Sequence, residues 1–276
     1  MPIITNSKSK EPVDIFYQDY GSGQPVILIH GWPLSHQAWE AQIAAIVKEG
    51  FRVIAYDRRG FGKSTAPWES YEYSTLTSDL NELITQLNLL DAVLVGFSMG
   101  GGEVVRYLTD FGDGNINKAV LISSIIPLVK QKTDNPEGVP EKDLKNIMQA
   151  LQTDRVGFLK DFHKNFYNYS DNKKKLSKAQ LEYDWNIASQ ASPRATIEAA
   201  KAWAETDFRP ELKNVSVPTL IVHGDSDNIV PIKSAGDQAA EGIKGNIYKV
   251  IKGGPHGLNV THKDELNKIL IDFLKS

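Results

Sequence analysis

A serine inside a glycine-rich turn is the residue with the clearest capacity for chemistry in this sequence. Ser98 lies at the centre of segment 96–100, which reads GFSMG and directly follows the apolar run 93–95. This pattern predicts a buried strand that turns sharply into a helix, with Ser98 at positive φ and glycines where side chains would collide. The G-x-S-x-G pattern also occurs by chance in glycine-rich loops. The preceding apolar run and the helical segment 103–108 favour Ser98 as a nucleophile.

A serine hydroxyl needs a base, and the base needs an acid that orients it. After a turn of this kind the expected chain order is serine, acid, histidine. His256 satisfies that order and lies in loop 253–257, GGPHG, which follows the last predicted strand. We expect His30 to hydrogen-bond the neighbouring loop and His223 to be a core histidine. Surface roles are expected for the remaining three histidines, which are His36, His163 and His262.

Two carboxylates follow the predicted strand 219–222 and compete for the role of the acid. Asp225 is close enough to the strand end to cap the turn. Asp227 lies further out, where an acid could reach the histidine, so the residues favour Asp227 and leave Asp225 open. A metal site built from His223, Asp225 and His256 lacks compact ligand spacing, so no metal is predicted.

An acyl-transfer site also needs two donors for the oxyanion of its intermediate. The main-chain amide of Met99 is one, because it follows the serine in the turn. The other should come from the loop after strand 26–29, where Gly31 allows close approach. In that loop Trp32 has an N–H and Pro33 has none, so Trp32 and Met99 are the predicted donors.

The elements that position these residues alternate between strands and helices. The strand predictions are 13–20, 25–29, 52–56, 92–97, 118–122, 218–222 and 247–251, and the helix predictions include 38–47, 73–87 and 263–274. This rhythm predicts an α/β fold whose mostly parallel sheet has helices on both faces. Between 127 and 205 the pattern is only helical, with breaks at 135–138 (NPEG) and 192–193 (SP). We therefore expect a core domain of 1–126 and 206–276, with a helical cap at 127–205.

Composition narrows the class of protein. The chain has 276 residues, a formal net charge of −3 and no cysteine. The charge provides no field for nucleic acid. The absence of cysteine excludes disulfides, cysteine-ligated haem or iron–sulfur clusters, and a cysteine nucleophile. The N-terminal segment lacks a signal-peptide apolar core, and no apolar run is long enough for a membrane span. The expectation is a cytoplasmic enzyme with neither nucleic-acid nor membrane partners.

These residues together resemble the α/β-hydrolase superfamily, and within it the cofactor-free haloperoxidases, also called perhydrolases, and the related bacterial aryl esterases. The resemblance implies an eight-stranded, mostly parallel sheet with the helical cap inserted after the sixth strand. In that family the acid corresponds to Asp227. The segments that carry it are 30–35 (HGWPLS), 56–62 (YDRRGFG), 96–102 (GFSMGGG), 205–210 (ETDFRP), 223–231 (HGDSDNIVP) and 255–257 (PHG).

The resemblance implies acyl transfer without a cofactor. Ser98 would attack a small-molecule ester, His256 would take its proton, and water or hydrogen peroxide would release the acid or peracid. Proline at position 33 goes with the perhydrolase members. Phe162 and Phe166 would line an apolar pocket with Trp32 and Ile229, although both phenylalanines could instead be core, as we expect for Phe158. Relatives are often homo-oligomers, but no interface is evident in this sequence.

Other functions on this fold are compatible with the same residues. A lactonase or an amidase would use the same mechanism on a cyclic ester or an amide. A non-hydrolytic small-ligand-binding protein, like the hormone receptors built on this fold, would keep the pocket but would not need all three catalytic positions. Dehalogenases and epoxide hydrolases of this fold carry aspartate in the turn, so Ser98 counts against them.

Overall fold

A single eight-stranded sheet runs through the computed structural model, which describes residues 2–276. The spatial order of its strands is β1-β2-β4-β3-β5-β6-β7-β8. The strands are β1 (Ile3–Asn6), β2 (Val13–Tyr20), β3 (Pro25–Ile29), β4 (Arg52–Tyr56), β5 (Ala92–Phe97), β6 (Ile116–Ile122), β7 (Thr219–Gly224) and β8 (Ile247–Ile251). The predicted α/β-hydrolase fold is thereby confirmed.

Parallel pairing dominates the sheet. Strand β2 pairs antiparallel with both β1 and β4, and all later neighbours are parallel. The central strands β3 and β5 are buried at every position, because helices cover both faces of the sheet. Strand β1 was not predicted. It has only four residues and lies at the sheet edge, where alternate residues are exposed and no apolar run forms.

Helices alternate with the strands, and most of the segments predicted to be helical are helices. They are α1 (Glu40–Lys48), α2 (Tyr73–Gln86), α3 (Met99–Phe111), α4 (Glu141–Phe166), α5 (Tyr169–Asn172), α6 (Lys178–Gln190), α7 (Pro193–Glu205), α8 (Gly236–Gly242), α9 (Leu258–Thr261) and α10 (Lys263–Leu274). Helix α1 begins later than predicted. The side chain of Ser35 accepts from Gln37 N and starts a 3-10 turn at His36–Trp39 instead.

The helices α4–α7, hereafter the cap helices, lie between β6 and β7, so the predicted insertion after the sixth strand is confirmed. Helix α4 contains a break at Asp154 (φ −148°, ψ 78°). There the side chain of Asp154 accepts the N–H of Gly157 over 2.9 Å and restarts the helix, as an N-cap does. Segment 127–140 is not helical, so the predicted break at 135–138 is wider than the sequence indicated. The division into domains 1–126 with 206–276 and 127–205 stays a prediction.

Buried ion pairs lock the turns beside the sheet. Arg58 donates to Glu103 over 2.6 Å and Arg59 donates to Asp79 over 2.6 Å, with all four side chains buried. Asp57 accepts from His36 Nδ1 over 2.7 Å. These contacts give Asp57, Arg58 and Arg59 structural roles beside the sheet.

The surface roles expected for two histidines were wrong. His36 is buried against Asp57, and His163 is buried with its Nδ1 2.7 Å from the carbonyl of Leu159. Burial lowers the pKa of His163 to about 4. Both histidines lie on helical segments that other parts of the fold cover, and the polarity of the neighbouring residues does not reveal this burial. Within residues 2–276, no helix is long and apolar enough to cross a membrane.

Candidate active site

The turn at Ser98 has the strained geometry that its sequence predicts. Ser98 lies between β5 and α3 at φ +53° and ψ −117°. A Cβ on Gly96 would lie 2.5 Å from the carbonyl oxygen of Gly100, and a Cβ on Gly100 would lie 2.4 Å from that of Ile29. The first clash is within the turn, as predicted, while the second is with strand β3. Both positions therefore require glycine.

His256 bridges the serine and an aspartate. Its Nε2 lies 2.9 Å from Ser98 Oγ, and its Nδ1 lies 2.7 Å from Asp227 Oδ2. Since a carboxylate only accepts, Nδ1 carries the proton and Nε2 accepts from the serine hydroxyl. All three side chains are buried, with Ser98 about 5% exposed. The arrangement can move a proton from Ser98 to His256 as the hydroxyl attacks.

Asp227 is held in its charged form. Its Oδ1 accepts the main-chain N–H groups of Ile229 (2.9 Å) and Val230 (2.8 Å). Burial alone would raise the pKa of Asp227. The electrostatic interaction with His256 and the side-chain contacts with His223 and His256 outweigh burial and hold that pKa well below its usual range. The carboxylate therefore stays negative beside the imidazole.

Asp225 joins two loops and does not orient His256. Its side chain is exposed and accepts the N–H of Gly253 over 2.6 Å, so it joins the loop after β7 to the loop after β8. The structure thus brings Asp227, not Asp225, to His256. Within residues 2–276, histidine and acidic side chains form no group of three or more that could hold a metal ion.

The loop after β3 approaches the serine closely. A Cβ on Gly31 would lie 3.1 Å from Ser98 Cβ and 2.8 Å from the Phe97 ring. Among residues 2–276, the main-chain N–H groups of Trp32 and Met99 have no main-chain acceptor. That of Met99 is free because it opens helix α3. Two unpaired donors therefore belong to segments that meet at Ser98.

Aromatic rings from helix α4 surround these loops. Phe162 packs edge-on against Trp32 at 5.3 Å between centroids, and Phe166 packs edge-on against His256 at 4.9 Å. Both are buried, while Phe158 is half-buried and packs on Phe162 at 5.9 Å. The spacing of four thus places these rings along one helix face, as the sequence indicates.

The two other predicted pocket residues lie in different settings. Pro33 is buried in the tight turn in which Leu34 N donates to Gly31 O over 3.0 Å, and the Trp32–Pro33 peptide is cis. Ile229 contacts the site through its main-chain N–H to Asp227. Its half-buried side chain borders an outer cleft with Asn168 and Tyr169 of the cap.

Three contacts at the site were not predicted. The indole Nε1 of Trp32 donates to the carbonyl of Thr196 on α7 over 2.9 Å, and the carbonyl of Phe166 accepts from Gly257 N over 2.9 Å. The Nε2 of His223 lies 3.2 Å from Asp227 Oδ2. Only this last contact had a signal in the sequence, because His223 and Asp227 are four positions apart at the end of one strand.

The expectation for His30 is confirmed. Its Nδ1 contacts the carbonyl of Gly31 at 2.9 Å, and its Nε2 accepts from Arg58 N over 3.0 Å. Burial and the nearby Arg58 lower the pKa of His30 to about 3, so it is neutral. It supports the loop next to Ser98, and its ring nitrogens bond to Gly31 and Arg58 rather than to the serine.

Comparisons with known proteins agree with this architecture. Residues 24–263 match the family model described as alpha/beta hydrolase fold. The chain is 39% identical to a non-heme chloroperoxidase from Kitasatospora aureofaciens, with 99% of each sequence covered. It is 36% identical to a bifunctional esterase/perhydrolase from Acinetobacter calcoaceticus, with 97% of this chain and 98% of that protein covered. The crystal structure of a bromoperoxidase from Bacillus anthracis superposes with a TM-score of 0.96, at 45% identity and full coverage of both chains. The resemblance inferred from the sequence motifs is confirmed.

Proposed function

This chain belongs to the alpha/beta hydrolase fold family, and on that premise we propose that it cleaves small or aryl carboxylic esters through an acyl-enzyme on Ser98. The observation that carries the proposal is the continuous line of contacts from Ser98 Oγ through His256 to Asp227, at 2.9 and 2.7 Å. A serine, a histidine and a buried carboxylate in this order form the arrangement that activates a hydroxyl for acyl transfer.

In the first half of the proposed reaction, Ser98 Oγ attacks the ester carbonyl carbon as its proton passes to His256 Nε2. Asp227 holds the imidazole by the Nδ1–H and stabilises the positive charge that forms on it. The C–O bond to the alcohol then breaks, and His256 returns the proton to the leaving oxygen. The products of this half are the free alcohol and the acyl group on Ser98.

The oxyanion of each tetrahedral intermediate would be bound by the main-chain N–H groups of Trp32 and Met99. Their lack of main-chain acceptors and the close approach of Gly31 to Ser98 support this assignment. Donors that are fixed before reaction stabilise the charge without having to reorganise, which is the largest contribution of many such sites.

In the second half, water or hydrogen peroxide attacks the acyl group, gives its proton to His256, and Ser98 leaves with that proton. Water yields the carboxylic acid and peroxide yields the peracid. A peracid can then oxidise a halide ion in solution to the hypohalous acid, and is itself reduced to the carboxylate. The similarity to an esterase/perhydrolase and to a non-heme chloroperoxidase supports both outcomes for this chain.

The acyl or aryl group would occupy the apolar surface formed by Phe162 and Phe166 with Trp32, and Ile229 would contribute at its edge. The contacts of these rings with Trp32 and His256 support this position. Apolar walls with a few oriented polar groups are typical of sites for small esters. Rates over a series of p-nitrophenyl esters of increasing acyl length would define the size of the pocket.

The test uses p-nitrophenyl acetate with the purified enzyme and the variant Ser98→Ala. We expect a burst of p-nitrophenol from the wild type, followed by slower turnover, and neither from the variant. An inactive wild type that still binds esters would instead indicate a non-hydrolytic binding protein. Undiminished activity of Ser98→Ala would overturn the proposed nucleophile.

A further inference from the structure

A second histidine contacts the acid of the site, and the mechanism above does not use it. His223 is the fifth residue of strand β7, is fully buried, and places its Nε2 3.2 Å from Asp227 Oδ2. We propose that His223 is a positioning residue that fixes the Asp227 loop and limits the negative charge that Asp227 presents to His256. This inference rests on the proposed function, since it concerns the acid of that mechanism.

The contacts of Asp227 divide between its two oxygens. Oδ1 is occupied by the main-chain N–H groups of Ile229 and Val230, at 2.9 and 2.8 Å. Oδ2 faces two imidazoles, with His256 Nδ1 at 2.7 Å and His223 Nε2 at 3.2 Å. The oxygen that orients the base is therefore the one that His223 contacts.

The proton on His223 can be placed from its neighbours. Its Nε2 lies 3.0 Å from the carbonyl oxygen of Val230 as well as 3.2 Å from Asp227 Oδ2. Both neighbours only accept, so Nε2 carries hydrogen. The opposite nitrogen, Nδ1, is buried and has no partner among residues 2–276. A proton on Nδ1 would be a buried donor without an acceptor, so the ring is the neutral Nε2–H form.

This single N–H acts on Asp227 in two ways. Its hydrogen bond to the Val230 carbonyl anchors the loop whose amides hold Oδ1. Its contact with Oδ2 places a positive hydrogen beside the oxygen that faces His256. In a buried site such a dipole is screened only weakly, so it reduces the charge felt by the imidazole.

The surroundings keep the ring of His223 in this position. A Cβ on Gly236 of α8 would lie 2.9 Å from His223 Cβ and 3.0 Å from its Cγ, so the helix packs directly on the side chain. Tyr248 Oη approaches the same glycine and donates to Asp237 Oδ1 over 2.8 Å. Of the titratable groups near His223, Asp227 contacts its Nε2 and also contacts His256, while Tyr248 with Asp237 lies at the glycine that packs on its side chain. Helix α8 also carries Glu241, and the neighbouring strand β8 carries Lys249.

Removing the N–H has a defined consequence for the base. More negative charge on Oδ2 stabilises the protonated imidazole of His256, and that form cannot accept the proton of Ser98. The acid limb of the kcat/KM profile therefore moves to higher pH. If His223 only filled space, its substitution would change the plateau value of kcat/KM or the stability of the fold, and the acid limb of the profile would not move.

The experiment compares three substitutions by the pH profile of kcat/KM on p-nitrophenyl acetate. Glutamine can place an amide N–H where Nε2 stands, asparagine is too short to reach it, and leucine has no donor. For His223→Leu and His223→Asn we expect the acid limb to shift upward by about half a pH unit, with roughly tenfold lower kcat/KM. His223→Gln should restore the wild-type limb. Thr219→Val, on the same strand and equally buried, is the control and should not move it.

A limb that coincides with wild type in His223→Leu overturns the inference, as does an equal shift in the glutamine and asparagine variants. If the leucine variant does not fold, the comparison of asparagine with glutamine decides. Failure of the proposed function is separable, because it would appear as an inactive wild type or as activity that survives Ser98→Ala, whatever the behaviour of His223.

Discussion

The main-chain N–H of Gly257, the residue after the base, donates to the carbonyl oxygen of Phe166 at the end of helix α4 over 2.9 Å. The Phe166 ring also packs edge-on against His256, at 4.9 Å between centroids. A cap helix therefore supports the loop that carries the base, by both main chain and side chain. The position of this helix and the orientation of His256 are linked.

Shortening Phe166 should affect both stability and turnover. Phe166→Ala removes a fully buried ring and should lower the free energy of unfolding by about 3–5 kcal/mol. Because the ring holds His256, kcat should fall as well. Urea unfolding and steady-state kinetics on p-nitrophenyl acetate measure the two effects. Phe158→Ala, one turn away from Phe162 and half-buried, should lose less stability and retain kcat; equal losses in kcat would contradict the link.

The choice between the two aspartates can be tested by paired substitutions. Asp227→Asn should reduce kcat by roughly 10⁴-fold, because the amide no longer fixes the histidine tautomer or stabilises its charge. Asp225→Asn is the matched control, since Asp225 accepts from Gly253 N and Ser226 Oγ rather than from His256. It should retain most of the wild-type rate. A large loss of kcat in Asp225→Asn together with a mild one in Asp227→Asn would reverse the assignment.

The indole of Trp32 connects the predicted oxyanion loop to helix α7 through Thr196. Trp32→Phe keeps the main-chain N–H and an aromatic ring but loses the indole donor. We expect kcat to fall up to about tenfold with little change in KM. The reason is that a looser loop would weaken binding of the oxyanion in the transition state more than binding of the substrate. Trp68→Phe, which is 69% exposed, controls for the loss of an indole. An unchanged kcat would show that the anchor does not matter.

Pro33 offers a test of water against peroxide as the acyl acceptor. Proline has a fixed φ and no N–H, so leucine at this position allows the neighbouring carbonyl to turn away from the attacking nucleophile. We expect Pro33→Leu to lower the ratio of perhydrolysis to hydrolysis. Peracid formation from acetate and hydrogen peroxide, divided by the rate of p-nitrophenyl acetate hydrolysis, gives that ratio. The argument fails if the ratio stays at its wild-type value.

Asp184 gives the cap helices a predictable dependence of stability on pH. It is buried, and burial raises its pKa to about 6 despite hydrogen bonds from Tyr167 and Gln180. A carboxyl with a raised folded pKa stabilises the fold fully below its unfolded pKa near 4, and that contribution is lost as pH rises through about 6. The loss is at most about 3 kcal/mol.

Asp184→Asn cannot ionise and should therefore gain stability relative to wild type as pH rises from about 4 to about 7. Urea unfolding at several values of pH measures the difference, and exposed Asp171→Asn serves as the control. A difference in unfolding free energy between Asp184→Asn and wild type that does not vary with pH would refute the prediction.

The sequence was sufficient to predict a feature wherever the residues that cause that feature lie within one short segment. Continuous apolar runs predicted the buried strands β3 and β5, and the glycines around Ser98 predicted its positive φ. Chain order together with the glycine-rich loop 253–257 favoured His256 among the six histidines. For the strands and for Ser98 the constraint is backbone sterics or burial within a few residues, and these depend only on local sequence.

Only the tertiary structure decided which residues from different elements contact each other. Asp225 and Asp227 differ by two positions in one loop, and only the path of that loop sends one to His256 and the other to Gly253. The indole of Trp32 donates to the carbonyl of Thr196 on α7, which lies 164 positions later in the chain. His163 is buried by other elements of the fold, which the sequence of its own helix does not reveal. The reason is physical: periodicity records how much of a segment is buried, whereas the identity of the covering partner depends on how all the elements pack together.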